Sequence, residues 1–255
     1  MVMERMRIAK SLVDVFCSGL DGHRDDLVIV DVGCGTGETV YYLMESGYDA
    51  FGCDLRFKSW EDSAQSDLIR NGRLRLIGGT EQKKLPFDDD FADIVLSDQV
   101  VEHIEDLDSF FREIARIGKP GSISMHYFPS ENKPIEPHVR IPLATKFQGR
   151  GWIGLWQRGP FKGMPRRDWR SRGVDAMYEY LKDKTHYRSG SRVLLVANQY
   201  YHSVAMEPDR LLRAMSGRAG ANIIRRVPGG PRLFNWLWSR FLVCRRPIKA
   251  GSDSQ

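Results

Sequence analysis

Short apolar runs alternate with stretches of helical periodicity between residues 26 and 128. Apolar runs between turn signals are typical of buried strands, and apolar positions three and four apart are typical of one face of a helix. The pattern predicts strands at 27–30, 50–53, 74–77, 93–97 and 122–128, and helices at 38–46 and 107–117. Strands that alternate with helices favour a parallel sheet covered on both faces. We therefore predict a doubly wound α/β fold.

The regular alternation stops after Pro129, in a stretch rich in Pro, Gly, Arg and Trp whose clearest helical piece is 174–182. Regularity returns with a helix at 208–215, a strand at 222–227 and a last strand at 241–244. No internal repeat is present. The pattern predicts one domain over residues 1–255 with an insertion, residues 129–206, after the fifth strand. Folds of this kind bind ligands at that edge of the sheet.

Composition places few restrictions on the function. Hydrophobic residues make up 42% of the chain and charged residues 28%, which is ordinary for a globular protein. Residues 1–25 are interpreted as a surface helix and not as a signal peptide, since Ile8, Leu12 and Phe16 recur at helical spacing and Asp14 interrupts the apolar patch. The four cysteines form no CxxC pair. We expect a cytoplasmic protein.

The positive charge is concentrated in one segment. Residues 145–172 contain eight basic residues and one acid, so this segment has a net charge of +7. The net charge of the whole chain is +5, and the rest of the chain therefore carries −2. Five aromatic residues lie among or beside the basic ones: Phe147, Trp152, Trp156, Phe161 and Trp169. Such a mixture suits sugar rings, phosphates, lipid headgroups or nucleic acid. The alternative is a solvated basic lid whose aromatic rings pack on the domain.

The strongest chemical signal directly follows the first predicted strand, as Asp31-Val32-Gly33-Cys34-Gly35-Thr36-Gly37. Glycines at alternate positions let the backbone turn sharply and approach a ligand closely. A dinucleotide fingerprint would place its third glycine where Glu38 stands, and an acid there would repel a pyrophosphate. The lysine of a nucleotide triphosphate loop is also missing. The loop therefore suits a ligand that carries a zwitterionic amino acid.

Asp54 closes the second predicted strand, 17 residues beyond Gly37. A carboxylate at that place can accept hydrogen bonds from both hydroxyls of a ribose. Taken singly, the glycines could form only a tight turn and Asp54 only a helix cap. Together, at the ends of neighbouring strands, they indicate one cofactor site.

Further elements follow in order: Leu85-Pro86-Phe87-Asp88, Phe91-Ala92-Asp93-Ile94-Val95, Val101-Glu102-His103-Ile104 and Arg112-Glu113-Ile114-Ala115-Arg116, which leads into Lys119-Pro120-Gly121. With the glycine loop and Asp54, this series resembles the class I S-adenosylmethionine-dependent methyltransferases over residues 26–128, and more loosely over 207–247. The resemblance implies a Rossmann-like, seven-stranded sheet whose last strand is antiparallel.

The resemblance also implies S-adenosyl-L-methionine as cofactor and a role for each matching position. Asp31 and the loop residues Gly33, Cys34, Gly35 and Gly37 would hold the methionine end, together with Ser97. Asp54 would bind the ribose and Leu55 would lie on the adenine. Many members carry Gly-Asp-Ala-Glu where this chain has Gly78-Gly79-Thr80-Glu81. The adenine contact would therefore come from Thr80, Glu81 or the backbone.

Three histidines are candidates for acid–base chemistry. A related family of quinone-pathway O-methyltransferases binds a metal through a Glu-His pair and a Glu three residues before it, and this chain has Glu102-His103 but the neutral Gln99. We therefore predict no metal. His126 lies on the fifth predicted strand, and a core role is as well supported as a catalytic one.

His138 is the favoured general base. Glu136, His138 and Arg140 alternate in Ile135-Glu136-Pro137-His138-Val139-Arg140-Ile141-Pro142, and an extended chain would aim the three side chains the same way. Such a face at the mouth of the cleft would supply a base, with Glu136 beside it, and an anion clamp. Alternatively, these three side chains only anchor the insertion to the domain.

The sequence predicts a methyltransferase that acts on an oxygen of a small-molecule, glycan or lipid-linked acceptor with anionic character. The segment from Phe128-Pro129-Ser130 onward resembles methyltransferases of bacterial surface-glycan synthesis. One alternative is an RNA methyltransferase that uses the basic insertion. Another is a cofactor-binding protein without catalysis. Contact with a membrane surface is left open.

Overall fold

The computed structural model describes residues 2–17, 26–58, 63–78, 84–158, 162–215 and 219–248. Its centre is a seven-stranded sheet. The strands are β1 (Val28–Val32), β2 (Asp49–Asp54), β3 (Leu74–Leu76), β4 (Ala92–Asp98), β5 (Gly118–Pro129), β6 (Ser203–Met206) and β7 (Ser239–Arg245). Their spatial order is β3-β2-β1-β4-β5-β7-β6.

The connections between the strands confirm the predicted fold class. The first five strands run parallel to one another, and β7 runs antiparallel to both β5 and β6. The strand order reverses between β1 and β4, so the loops that leave the carboxyl ends of these two strands border a crevice. The predicted cofactor loop leaves β1 at this crevice.

The position of the sixth strand was predicted wrongly. Residues 222–227 lie mostly in a helix, Ala219–Arg226, and the sixth strand is Ser203–Met206. The apolar pair Ile223-Ile224 is followed by Arg225, and a short apolar run of this kind does not distinguish a helix from a strand.

Ten helices are described. They are α1 (Val2–Cys17), α2 (Glu38–Glu45), α3 (Ser63–Arg70), α4 (Leu107–Ile117), α5 (Arg150–Arg158), α6 (Arg167–Lys184), α7 (Gly190–Ala197), α8 (Pro208–Ala214), α9 (Ala219–Arg226) and α10 (Gly230–Leu237). The predicted helix over residues 1–25 is α1 as far as Cys17, and residues 18–25 lie outside the described part of the chain. None of the described helices combines the length and apolarity needed to cross a bilayer.

Two hydrophobic clusters cover the two faces of the sheet. Residues of α1, α2, α8 and α9 pack on one face, and residues of α4 and α7 pack on the other. The alternation of buried positions along β1 explains this arrangement, since Ile29 belongs to the first cluster and Val30 to the second. Both residues are fully buried. The sheet therefore fixes the positions of the loops at its carboxyl edge.

Residues 130–189, which we call the cap, leave the sheet after β5 and return at α7. The cap has a hydrophobic cluster of its own, formed by Val139, Ile141, Ala144, Ile153, Trp169, Met177 and Leu181. The predicted helix 174–182 is part of the longer α6, in which Gly173 interrupts the helical backbone with φ +86°. Residues 190–206, predicted as part of the insertion, form α7 and β6 and pack with the sheet.

Both stems of the cap are fixed to the domain by hydrogen bonds. Near the departing stem, Arg240 of β7 donates from Nη2 to the Glu131 carboxylate at 2.6 Å. Near the returning stem, Arg188 donates to the carbonyl oxygens of Ile104 and Glu105 at 2.6 and 2.5 Å. These contacts hold the cap at the carboxyl edge of the sheet.

Candidate active site

The loop after β1 needs its glycines. Gly33, Gly35 and Gly37 have φ values of +79°, +59° and +84°, a backbone region that side chains disfavour. A Cβ on Gly33 would also collide with Cγ2 of Val100, and one on Gly37 with the Leu74 side chain. Gly33 and Gly37 therefore let the loop lie close to its neighbours, whereas Gly35 is required by its backbone conformation.

Hydrogen bonds hold this loop against the end of β2. The backbone N–H groups of Gly33 and Cys34 donate to the carbonyl oxygen of Cys53 at 2.7 and 3.1 Å. The N–H of Gly35 donates to Oδ2 of Asp54 at 2.8 Å. The structure therefore brings together the loop and the carboxylate that were predicted to share one site.

Asp31, near the end of β1, is 6% exposed. Burial, and then the nearby carboxylates of Asp98 and Asp54, raise its pKa to about 7. The charged form of Asp31 is therefore stabilised by whatever cation enters this crevice. A crevice of this kind suits an amino acid ammonium group and repels a phosphate.

The other predicted cofactor residues differ in their exposure to solvent. Cys34 is buried, and burial raises the pKa of its thiol well above the ordinary value. Leu55 is 61% exposed beside Asp54, which leaves its side chain accessible to a ligand. Ser97 is buried, and its Oγ lies 2.8 Å from Nδ1 of His126. Thr80 and Glu81 lie outside the described residues.

His126 is fully buried in the sheet layer. The rings of Phe110 and Phe111 pack edge-on against its imidazole at 5.6 and 5.4 Å. Burial lowers the pKa of His126 to about 3, so the ring is neutral. It lacks the access to an acceptor that a general base needs, so His126 has no part in the proposed mechanism.

His138 lies on the cap with a different environment. Its Nδ1 is 2.6 Å from Oε1 of Glu136, and Tyr187 donates its hydroxyl to the same oxygen at 2.5 Å. Oε2 of Glu136 accepts the backbone N–H groups of His138 and Val139 at 2.8 and 2.7 Å. The side chain of His138 is 20% exposed. Glu136 thus fixes the orientation of a partly accessible imidazole.

Glu136 is fully buried and is held ionised by its partners. Burial alone would raise its pKa, but hydrogen bonds from His138, Tyr187 and Val139 and the charge of His138 outweigh burial and lower the pKa. The expectation that Glu136, His138 and Arg140 point the same way was wrong. The segment forms a turn in which the Arg140 N–H donates to the Glu136 carbonyl at 3.0 Å, and Arg140 is exposed.

The structure also brings together residues that the sequence analysis did not combine. Glu102 and His103 lie on a short 3₁₀ helix, Val101–His103, that follows β4. The imidazole of His103 lies edge-on to that of His138, with ring centroids 4.9 Å apart. Spacing alone gives no signal for this contact, because 35 residues separate the two histidines. Tyr187 was missed for the same reason.

The eight basic side chains of residues 145–172 are all exposed. Two of them form ion pairs on the surface, Arg150 with Asp175 and Arg166 with Asp168. Trp152, Trp156 and Trp169 pack instead with the hydrophobic cluster of the cap. Phe147 is 53% exposed, and Phe161 lies outside the described residues. The basic residues therefore form part of the solvent-exposed surface of the cap.

Comparison with known proteins identifies the domain. Residues 30–125 match the model of a family described as a methyltransferase domain. These residues contain the glycine loop, Asp54, β4 and most of β5. Together with the strand order and the antiparallel β7, the match shows that the chain carries a class I S-adenosylmethionine-dependent methyltransferase domain. S-adenosyl-L-methionine is the cofactor of this class.

Two of the relatives that the chain matches share about a quarter of its residues over the aligned region. The chain is 26% identical over 170 residues to ajmaline N-methyltransferase from Rauvolfia serpentina, a match that spans 58% of this chain and 56% of that enzyme. It is 24% identical over 189 residues to an uncharacterized methyltransferase from Mycolicibacterium vanbaalenii, covering 74% and 71% of the two chains. Thus the chain spans little more than half the length of the Rauvolfia enzyme.

One solved structure of similar fold is the Haemonchus contortus phosphoethanolamine N-methyltransferase 2 in complex with phosphomonomethylethanolamine and S-adenosylhomocysteine. The TM-score is 0.52 at 12% identity, over 94% of this chain and 52% of that one. At this identity the comparison supports the fold.

Proposed function

We propose that this protein transfers the methyl group of S-adenosyl-L-methionine to an oxygen of a small-molecule, glycan or lipid-linked acceptor with anionic character. The observation that carries the proposal is the hydrogen-bonded set of Glu136, His138 and Tyr187 at the carboxyl edge of the sheet. A hydroxyl acceptor must lose a proton during transfer, and this set contains an oriented group that can take it.

The residues around the β1 loop fit the cofactor. Asp31, which has a raised pKa in a crevice lined by acids, would pair with its ammonium group. Asp54, at the end of β2, would accept hydrogen bonds from the ribose hydroxyls, and Leu55 would cover the adenine. The left-handed glycines leave space where side chains would intrude. Ser97 and Cys34 would line the methionine end.

The cap would supply the acceptor side of the reaction. When bound, S-adenosyl-L-methionine provides a methyl group that is already activated by its positively charged sulfur. The protein must then align the acceptor oxygen with this group, and alignment of this kind contributes about 7–11 kcal/mol to rate enhancement. A general base adds about 10²–10⁴-fold.

The hydrogen bond to Glu136 defines the chemistry of His138. A carboxylate at 2.6 Å from Nδ1 keeps the ring proton on Nδ1, so that Nε2 carries the free electron pair. Nε2 would take the hydroxyl proton while the acceptor oxygen forms its bond to the methyl carbon. The electron pair of the breaking carbon–sulfur bond remains on sulfur. Glu136 would stabilise the imidazolium that results.

The proposal is tested with ¹³C-methyl-labelled cofactor, the purified protein and fractionated cell extract. We expect label in a sugar, lipid or small-molecule fraction, and the methyl chemical shift distinguishes an O-methyl from an N-methyl product. Label in RNA would instead support the alternative that the exposed basic surface of the cap binds nucleic acid. Cofactor binding without transfer to any fraction would show a binding protein that lacks catalysis.

A further inference from the structure

The strongest feature that the proposed mechanism leaves unexplained is the surroundings of Glu102. This residue is 2% exposed, and neither of its carboxylate oxygens has a hydrogen-bond partner among the described residues. A buried carboxyl group without partners costs free energy in the folded state. Its presence therefore points to a ligand that supplies the missing interactions.

Two imidazoles face the same place. One ligand atom each from Glu102, His103 and His138 can be chosen so that all lie within 4.8 Å of one another. Zinc ligands lie ~2.0–2.2 Å from the ion and hence, in a tetrahedral arrangement, about 3.3–3.6 Å from one another. Small side-chain movements would bring the three groups to that spacing.

The orientation of the two rings is that of metal-binding histidines. Nδ1 of His103 lies 2.5 Å from the carbonyl oxygen of Lys184, and Nδ1 of His138 lies 2.6 Å from Oε1 of Glu136. Both acceptors require a proton on Nδ1, which leaves Nε2 of each ring as the atom that can bind a cation. Metal-ligating histidines usually donate their second N–H to a carboxylate or a backbone carbonyl in this way.

The orientation of His138 is reinforced by a second hydrogen bond to its carboxylate partner. The hydroxyl of Tyr187 also donates to Glu136, so the carboxylate that orients His138 is itself held in place.

We propose that Glu102, His103 and His138 form a binding site for a divalent transition-metal ion such as Zn²⁺. Two nitrogen ligands and one carboxylate suit zinc, iron, cobalt or manganese better than magnesium or calcium, which prefer an all-oxygen set. The site departs from the expectation drawn from Gln99, because His138 of the cap supplies a ligand that the segment around Glu102 lacks.

The use of the ion in catalysis rests on the proposed function. A cation with three protein ligands keeps open positions for an acceptor oxygen, lowers the pKa of a hydroxyl and attracts an anionic group into a crevice otherwise lined by acids. With Nε2 of His138 bound to the ion, this histidine would not act as the general base. The acceptor hydroxyl, its pKa lowered by the cation, would instead lose its proton to solvent water. The anionic character proposed for the acceptor fits such a site.

The test is metal binding by the full-length chain after treatment with a chelator. Equilibrium dialysis against Zn²⁺ should show one bound equivalent, and Co²⁺ should give the visible absorption of a protein-bound ion. Glu102→Gln and His138→Ala should each weaken Zn²⁺ binding at least ~10-fold, and Glu136→Gln, which disturbs only the orientation of His138, should weaken it by about 10–100-fold. Millimolar Mg²⁺ should not compete.

His202→Ala is the matched control, because this histidine is exposed and takes no part in the cluster. Circular dichroism and cofactor affinity establish that each variant is folded, and the near-isosteric Glu102→Gln keeps the test valid should His138→Ala fail to fold. Absence of bound Zn²⁺, or equal binding by the wild type and Glu102→Gln, would overturn the inference. Zn²⁺ binding without methyl transfer would leave the site standing and reject the proposed function. Transfer that persists in the metal-free protein would leave the proposed function standing and reject the use of the ion in catalysis.

Discussion

Oδ2 of Asp54 accepts a hydrogen bond from the backbone N–H of Gly35 at 2.8 Å. This bond joins the end of β2 to the loop that leaves β1. The second oxygen, Oδ1, accepts only a longer bond of 3.3 Å from the Arg56 N–H among the bonds that the structure shows for it. One carboxylate therefore shapes the loop through Oδ2 and has in Oδ1 an atom for the proposed contact with a ribose.

Asp54→Ala should raise the dissociation constant of S-adenosyl-L-methionine at least ~10-fold, because the ribose hydroxyls would lose a charged acceptor. Isothermal titration calorimetry measures the change. Asp67→Ala, on the exposed face of α3, serves as control and should bind normally. Unchanged affinity of the Asp54 variant would defeat the assignment of the cofactor site.

The affinity for S-adenosyl-L-methionine should depend on pH through Asp31. Its pKa of about 7 means that the carboxyl is largely protonated at pH 6, and the cofactor ammonium needs the ionised form. The dissociation constant should therefore rise as the pH falls through 7, by up to ~10-fold per pH unit. Asp31→Asn should bind weakly at every pH and lose this dependence. A variant that retains the slope would assign the titration to another group, such as Asp98 or Asp54.

The same raised pKa has a consequence for stability without cofactor. Between the unfolded value of 3.8 and the folded value of about 7, the folded state binds more protons than the unfolded state. The contribution of Asp31 to the free energy of unfolding therefore decreases as the pH rises through this range. Above pH 7 Asp31→Asn should be the more stable protein in urea unfolding. A less stable variant at pH 8 would contradict the burial of this charge.

Gly33→Ala and Gly35→Ala should differ in stability. Both place a side chain in the left-handed region, which costs about 1–2 kcal/mol. Only the Gly33 variant also forces a Cβ into the Val100 side chain, which adds about 1–3 kcal/mol, whereas the nearest atom to a Cβ on Gly35 is Cδ of Lys58 at 4.0 Å. Urea unfolding compares the two, and Val100→Ala should restore part of the loss in Gly33→Ala. Equal losses would show that crowding at Val100 has no effect.

Tyr187→Phe should lower turnover with little effect on cofactor affinity. The substitution removes one of the hydrogen bonds that hold Glu136, and the orientation of His138 depends on that carboxylate. We expect kcat to fall about 10-fold, in the range found for outer partners of a functional histidine. Tyr200→Phe removes a hydroxyl that donates to Asp108 at 2.6 Å, away from the cap, and should leave kcat unchanged. A similar loss in both variants would indicate a general effect on the fold.

The glycine loop and Asp54 could be predicted from the sequence because the signals for them are local. Gly33, Gly35 and Gly37 sit within five residues, and Asp54 ends the next strand. The alternation of apolar runs also located β1 to β5 to within a few residues. The edge strand β6 gave only a weak signal, since each of its residues is only partly buried and its apolar run, Val204-Ala205-Met206, is three residues long.

The acceptor half depends on contacts between distant parts of the chain. Glu102 and His103 follow β4, whereas His138 and Tyr187 belong to the cap, and only the folding of the cap brings them together. The expectation of no metal rested on Gln99, whereas the ligand that we propose in its place, His138, lies outside the segment after β4. The sequence also left open whether the basic residues face solvent or a ligand, since their spacing did not show which face of α5 and α6 they occupy.

The cap has a hydrophobic cluster that shares no residue with the two clusters on the sheet, and each of its stems is fixed by only a few hydrogen bonds. Such a unit can be replaced or varied while the domain that binds the methyl donor stays constant. Directed evolution of acceptor preference should therefore concentrate on exposed positions of residues 130–189, where we expect substitutions to change the proposed acceptor site more than the affinity for the cofactor.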